Sequence, residues 1–263
     1  MEIKDQYDVV VVGAGHAGIE ACLASSRMGR KTLLITISKN SIGRMSCNPA
    51  IGGTAKGHLV REIDALGGEM GRIADATGIQ FRMLNKSKGP AVWSPRSQND
   101  RDAYSEFAKK TLHNQENLFI IEDSVLDIIT VSNNGCGKNR ISGLITSSGL
   151  KIICKCLILC AGTFLRGLLH LGMKNKEGGR FGEEPVNGIT KNLEKFGFVS
   201  GRLKTGTPPR IDIRSIDFSK TEEQFSDETP QPFSHENSSI KNKLIPMYLT
   251  YTNLNTHRAL EKG

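Results

Sequence analysis

The chain has 263 residues, a formal net charge of +8 and 38% hydrophobic residues, which exceeds the roughly 100 to 150 residues of a typical single domain and allows a substantial core. No apolar run approaches the ~20 residues needed to span a bilayer, and Met1-Glu2-Ile3-Lys4-Asp5 leads straight towards an apolar strand without a signal-peptide core. These features exclude a helical membrane protein and set the expectation of a soluble, cytoplasmic one.

Tyr7 to Val12 reads as a continuous apolar strand, Gly13 to Gly18 as a glycine turn, His16 to Met28 as an alanine-rich helix stopped at Gly29, and Lys31 to Ile37 as a second strand. Ser38 to Ala55 is irregular. Lys56 to Leu66 has helical spacing, with Leu59, Ile63 and Leu66 on one face and a stop at Gly67-Gly68. A basic loop, Asn85 to Pro90, precedes a helix expected over Gln98 to His113, and strands are expected at Leu118 to Ile121, Val125 to Val131, Ile141 to Thr146 and Lys151 to Cys160. Beyond Gly197 the pattern is strand and loop, with Gly201 to Arg210 as a rigid basic turn. Ser219 to Lys243 has the composition of a mobile connection; a strand at Leu244 to Tyr251 and a helix at Asn255 to Lys262 follow.

Gly13-Ala14-Gly15-His16-Ala17-Gly18 satisfies G-x-G-x-x-G between a strand and a helix. In that context the first glycine makes the turn, the second admits a pyrophosphate, and the third lets helix pack on strand, with the helix N-terminus towards the phosphates. The acid usual at the end of the second strand is missing, since Ile35-Thr36-Ile37-Ser38-Lys39 offers only hydroxyls and an amine. An ordinary NAD dehydrogenase is therefore disfavoured, and FAD with a different ribose contact is left. The strand ending Cys160-Ala161-Gly162-Thr163 is a second place where sheet gives way to a glycine turn, which places Gly162 and Thr163 at the same ligand-bearing edge.

Met45-Ser46-Cys47-Asn48-Pro49-Ala50-Ile51-Gly52-Gly53 puts a thiol in a polar turn beside a glycine pair. Glycine pairs let backbone N–H groups approach a ligand closely, making Asn48, Gly52 and Gly53 candidate cofactor contacts. Cys47 is a candidate nucleophile because Arg44 and Lys56 lie near it in sequence and cationic neighbours lower a thiol pKa; burial as a small apolar residue is the alternative. The six cysteines show no C-x-x-C pair and no histidine at metal-ligand spacing, so no metal site is expected. Cys154, Cys156 and Cys160 share one parity and are expected to line one face of a buried strand.

The charge is uneven. Between Arg27 and Arg101 there are thirteen Lys or Arg against five acids, whereas the remaining 22 basic and 22 acidic residues cancel. A localised basic excess suits a polyanion such as RNA or the phosphates of a cofactor, a merely solvated basic surface being the alternative. Lys86, Lys88, Arg96, Arg101 and Arg210 are the candidate nucleic-acid contacts, several of them held on glycine or proline turns. Trp93 beside Arg96 is either a stacking platform for a base or a half-buried loop tryptophan.

Seven blocks in order, namely Gly13 to Gly18, Met45 to Gly53, Lys56 to Leu59, Glu62 to Gly68, Gly78 to Asn85, Ser87 to Ala91 and Gly201 to Asp212, resemble the GidA or MnmG family of FAD-dependent tRNA uridine 5-carboxymethylaminomethyl modification enzymes. The resemblance runs from about Tyr7 to the last residue. It implies an α/β protein with a glutathione-reductase-type, Rossmann-like FAD domain, here residues 1–200, and the start of an inserted α+β second domain at 201–263, truncated at the C-terminus. It further implies a homodimer working with an MnmE-type GTPase on the wobble uridine of tRNA, with NADH and methylene-tetrahydrofolate as co-substrates, and neither DNA nor membrane as a partner. Gly13 to Gly18 would hold the FAD pyrophosphate, Val125 would meet the adenine end through its backbone, and Cys47 would be the catalytic thiol.

Departures accompany the match. The family continues well past residue 263, with a second cysteine and the returning half of the cofactor domain, so the chain alone is expected to bind FAD weakly and to turn over little. Ser97 stands where the family commonly has alanine, and Val186 near a position commonly serine. A folate- and FAD-dependent tRNA uracil-C5-methyltransferase and a non-catalytic tRNA- or partner-binding fragment are the alternative readings.

Overall fold

The computed structural model describes residues 2–45, 48–132 and 139–262. Numbered along the chain, its elements are β1 (Glu2–Val12), α1 (His16–Arg27), β2 (Thr32–Thr36), β3 (Ala50–Gly52), α2 (Lys56–Ala65), α3 (Met70–Thr77), β4 (Gly78–Leu84), β5 (Ser94–Asn99), α4 (Arg101–His113), β6 (Leu118–Glu122), β7 (Val125–Ser132), β8 (Asn139–Thr146) and β9 (Lys151–Leu159). There follow β10 (Leu168–Leu171), β11 (Lys174–Glu177), α5 (Ile189–Lys195), β12 (Glu222–Gln224), β13 (Met247–Leu249) and α6 (Leu254–Glu261). No helix among the described residues is long and apolar enough to cross a membrane.

The chain forms two compact units. The first comprises Met1–Ser46, Gly67–Met70 and Arg101–Lys204; the second comprises Cys47–Leu66, Gly71–Asp100 and Thr205–Gly263. The expected single boundary at 200/201 differs from this division, because two early stretches of chain pack with the C-terminal one. Their contacts, described below, have no local pattern in the sequence.

The first unit is built on a six-stranded sheet of order β6-β2-β1-β9-β8-β7. Strands β6, β2, β1 and β9 run parallel, while β8 and β7 add antiparallel pairs at one side. Val10 and Val11 of the central strand and Leu33, Leu34 and Ile35 of β2 are fully buried, as expected for parallel strands covered on both faces. Helix α1 packs on this sheet through Gly18, Ile19, Cys22, Leu23 and Ser26, spaced to form one stripe. Tyr7 at the start of the buried run sits edge-on to Phe119 of β6, 5.8 Å between ring centres, with Lys31 Nζ 5.0 Å from its own ring centre. Cys154 is buried as expected, but Cys156 is exposed and Cys160 only partly covered, so the three thiols do not line one buried face. Cys136 lies outside the described residues.

In the second unit β5 is the middle of a three-stranded antiparallel sheet, β3-β5-β4. The helix expected from Gln98 begins only at Arg101. Asn99 Nδ2 donates to Ala74 O at 2.9 Å and to Thr77 Oγ1 at 3.1 Å, and Asp100 N donates to Thr77 O at 2.9 Å. These bonds hold the chain extended to the end of β5. Helix α3, strand β4 and strand β3, the last inside the stretch read as irregular, were not expected from the sequence.

The stretch from Ser219 to Lys243 is not a free connection. Gln80 Nε2 donates to Gln224 O at 2.7 Å, Met83 N to Asp227 Oδ2 at 2.7 Å, Asp227 N to Phe81 O at 3.0 Å and Ile245 N to Ile79 O at 2.9 Å, so the later chain satisfies the open edge of β4. Phe233 is fully buried, and a Cβ on Gly52 would stand 2.7 Å from its ring. Asp75 accepts from Phe233 N at 2.8 Å, Ser234 N at 2.9 Å and Asn237 Nδ2 at 2.9 Å, and Asp64 accepts from His235 N at 2.7 Å. Polar composition concealed this anchoring because two carboxylates of distant sequence supply the acceptors. By contrast, Gly201 to Arg210, read as a rigid turn, has no regular structure and is exposed throughout.

Truncating the buried ring should loosen this unit as a whole. Phe233→Ala is expected to cost about 3–5 kcal/mol. Denaturant unfolding with hydrogen exchange at the Phe81, Met83 and Ile245 amides will show it as a common loss of protection.

Candidate dinucleotide site

The glycine turn stands where β1, β2 and β9 end side by side. Gly13 N donates to Ile35 O at 2.8 Å, and Cys160 N donates to Val12 O at 2.8 Å. Gly13 has φ +100° and a Cβ there would lie 2.3 Å from Cys160 O, while a Cβ on Gly18 would lie 1.7 Å from Gly13 O. Neither position tolerates a side chain. Gly15 is the opposite case, with no heavy atom within 4 Å of where its Cβ would stand. The side of the turn that a pyrophosphate would approach is therefore open, and α1 begins there at His16 with Gly15 as an N-cap that supplies no side-chain hydrogen bond and with no acid in its first turn.

A cavity opens on this turn. Gly13, Ala14 and Gly15 form one wall, Ile35 to Ile37 and Val125 another, and Cys160, Ala161 and Gly162 a third. Residues of both glycine turns line this one cavity, and so does Val125. Thr163 holds the neighbouring chain instead, its Oγ1 donating to Gly179 O at 2.8 Å. Ala17 is exposed on α1, and Gly18 is buried under the turn. Asn48, Gly52 and Gly53 belong to the second unit, where Gly52 packs on Phe233 and Gly53 N donates to Pro95 O at 2.9 Å.

His16 turns away from the cavity wall towards Tyr104 of α4. Its Nδ1 lies 3.3 Å from Tyr104 Oη and the rings meet edge to face at 5.3 Å. Burial, and secondarily the charge of Arg180, lowers the His16 pKa, so the imidazole is neutral at pH 7. Beneath it Glu20 accepts from Glu69 N at 3.0 Å and Met70 N at 2.7 Å, and burial raises its pKa despite those bonds.

Two residues on the cavity were not singled out from the sequence. Asp123 follows β6, and its N donates to Thr36 O at 2.8 Å, so a carboxylate stands beside the end of β2 where the second strand itself has none. Burial pushes this carboxyl up, but hydrogen bonds led by Ser148 and Thr146 outweigh it and hold the group below the usual carboxylate range. Arg180 also lines the cavity. A Gly-Gly pair directly before it was the legible signal.

Cys47 lies outside the described residues. Among the described thiols burial pushes Cys22 up to about 12 and Cys154 up to about 11, and it raises Cys160 as well, so these three are not thiolates at neutral pH. The candidate nucleic-acid contacts divide between the units. Lys86, in the second unit, pairs with Asp227 at 3.0 Å, and Lys88 is exposed close by. Burial lowers the pKa of half-buried Arg96. Trp93 is half exposed, its indole N–H donating to Lys86 O at 3.1 Å. Arg101, in the first unit, meets Asp102 at 3.5 Å, and Arg210 is exposed in the second unit.

The parallel sheet, the glycine-only turn and the cavity at the carboxyl ends of the strands define a protein of the Rossmann-type fold class, the architecture of dinucleotide-binding domains. More particularly, the family described as Glucose inhibited division protein A matches residues 8–263, and the chain belongs to that family. It is 53% identical over 257 residues to the tRNA uridine 5-carboxymethylaminomethyl modification enzyme MnmG of Thermodesulfovibrio yellowstonii, covering 98% of this chain and 40% of that relative. Aquifex aeolicus GidA superposes with a TM-score of 0.92 at 46% identity, over 99% of this chain and 43% of that one. The GidA-related protein from Thermus thermophilus, at 21% identity and a TM-score of 0.52 over 73% of this chain and 69% of that one, shares the fold alone. The chain thus spans about 40% of the length of the curated relative it matches.

The neutral imidazole gives a signed pH dependence. With its folded-state pKa below the ordinary 6.5, the stability His16 contributes is present above that value and is lost as pH falls through the lowered one. Thermal stability is expected to fall between about pH 7 and about pH 5 by more in the wild type than in His16→Gln, which can still hydrogen-bond Tyr104 but does not titrate.

Proposed function

We propose that this chain supplies the FAD-binding portion of an enzyme that modifies C5 of the wobble uridine of tRNA, adding the carboxymethylaminomethyl group. The observation that carries the reading is the cavity formed by Gly13 to Gly15, Val125 and Cys160 to Gly162 in a member of this family. In this reading the open face at Gly15 and the start of α1 receive the FAD pyrophosphate through backbone N–H groups. Val125 meets the adenine end, and Asp123 takes the ribose hydroxyls in place of the acid missing after β2. FAD supplies redox chemistry when bound, with NADH and methylene-tetrahydrofolate as co-substrates.

Cys47 is the proposed nucleophile. A thiolate added at C6 of a uracil makes C5 nucleophilic, which is the position to be modified. Lys86, Lys88, Arg96, Arg101 and Arg210 are the proposed phosphate contacts for tRNA. The remaining assignments are a cytoplasmic homodimer acting with an MnmE-type GTPase.

Two measurements test this. Purified chain should bind FAD, weakly, and release it to excess ADP, and Gly13→Ala, which sets a Cβ against Cys160 O, should abolish that binding; failure of the wild type to bind either ligand at high concentration would sink the reading. A chimera carrying residues 1–263 in place of the matching segment of the Thermodesulfovibrio relative should restore modified wobble uridine in a deficient strain, as read by mass spectrometry of tRNA nucleosides. Cys47→Ser in that chimera should not. Appearance of ribothymidine instead would assign the chain to uracil C5-methylation.

A further inference from the structure

Residues 178–183 form a tight turn in which Gly179 leaves no room for a side chain. Thr163 Oγ1 donates to Gly179 O at 2.8 Å, Gly179 N to Glu183 O at 3.1 Å and Glu183 N to Arg180 O at 3.0 Å. A Cβ on Gly179 would stand 2.0 Å from the Phe164 ring, and one on Gly178 would stand 3.0 Å from Glu183 O. The turn is also tied to the dinucleotide fingerprint: Arg44 Nη1 meets Glu183 Oε1 at 2.8 Å, and the preceding residue, Gly43, donates its N–H to Ala14 O at 2.9 Å.

This construction delivers one cation to the cavity. Arg180 lines it, with the guanidinium carbon 5.4 Å from the Phe164 ring centre, and its Nε is buried without a hydrogen-bond partner among the described residues. A buried cationic N–H left without an acceptor is unfavourable, and an anionic ligand would relieve it. The other cations nearby do not serve: Arg44 is committed to Glu183, and His16 faces Tyr104. The start of α1 carries no side-chain charge that would repel an anion.

We infer that Arg180 is a phosphate-binding residue of the dinucleotide site, supplying the full positive charge that the glycine turn and helix terminus lack, and so favouring pyrophosphate-bearing ligands over their phosphate-free parts. The inference rests on the dinucleotide reading of the cavity. It differs from that reading by assigning the selectivity to one side chain outside the fingerprint.

The test compares FAD, ADP and riboflavin as ligands for wild type, Arg180→Gln and Arg180→Lys, by titration calorimetry at two salt concentrations. Arg180→Gln should weaken ADP and FAD at least about tenfold and flatten their salt dependence, leave riboflavin unchanged, and not markedly lower the melting temperature of the unliganded protein, since the part-buried cation it removes has a buried Nε without a hydrogen-bond partner among the described residues. Arg180→Lys, which keeps the charge but loses the planar fork, should fall between the two. Should Arg180→Gln not fold, the lysine variant alone decides, because ADP affinity equal to wild type in either variant overturns the inference. A wild type that binds neither ADP nor FAD overturns the dinucleotide reading itself, and this inference with it.

Discussion

Three strands end at one point in the first unit, and that point has no room for a side chain. The distance between Cys160 O and the place where a Cβ of Gly13 would stand, 2.3 Å, and the still closer approach of Gly18 to Gly13 O mean that the turn, the helix after it and the strand more than 140 residues later fit together only as glycine on backbone. The constraint acts in two directions. It fixes β9 beside β1 with Cys160 N bonded to Val12 O, and it leaves Gly15 as the open member of the turn. The shape of the cavity follows from which glycine is crowded and which is not.

The electrostatics of the same turn follow from what surrounds it. A helix start with no acid in its first turn keeps its partial positive charge available. His16, the first helical residue, would add a full charge there if protonated, but its packing against Tyr104 and its burial keep it neutral. The full charge instead comes from Arg180, on a turn clamped by Thr163 and Glu183. The arrangement separates two tasks: backbone N–H groups give close approach, and a single guanidinium on a rigid mount gives attraction.

Local pattern made some of this legible in the sequence. The β1–turn–α1–β2 unit carries its own signal, because apolar runs and a glycine spacing lie within thirty consecutive residues; Gly162 could be placed on the same edge as Gly13 because strands of a parallel sheet end on one side, whereas Val125, the first residue of β7, was marked only by the family resemblance. The second unit was far less legible. Nothing in the polar run 219–243 announces that Phe233 fills the space opposite Gly52, or that Asp75 collects three donors from Phe233, Ser234 and Asn237. Those are non-local contacts, and composition reports on a segment's own tendency to fold rather than on acceptors waiting 158 residues away. The early start assigned to α4 failed for a related reason, since Asn99 is held in β5 by Ala74 and Thr77.

Charge is the property in which sequence and structure differ most in consequence. Within the basic stretch, Arg44 pairs with Glu183, Arg72 with Glu236, Lys86 with Asp227 and Arg101 with Asp102, and all four carboxylates lie outside the stretch. Folding therefore neutralises at least half of the +8 excess that a linear count of residues 27–101 gives. What is left for a polyanion is smaller than the count implies: it includes exposed Lys56 and Lys88 and half-buried Arg96 in the second unit, and exposed Arg30 and Lys39 in the first. Exposed pairs exchange readily, so Lys86 and Arg101 remain able to leave their carboxylates for a phosphate at small cost. A nucleic-acid surface on this chain would then depend on a few cations set by turns, and less on the net charge that first suggested it.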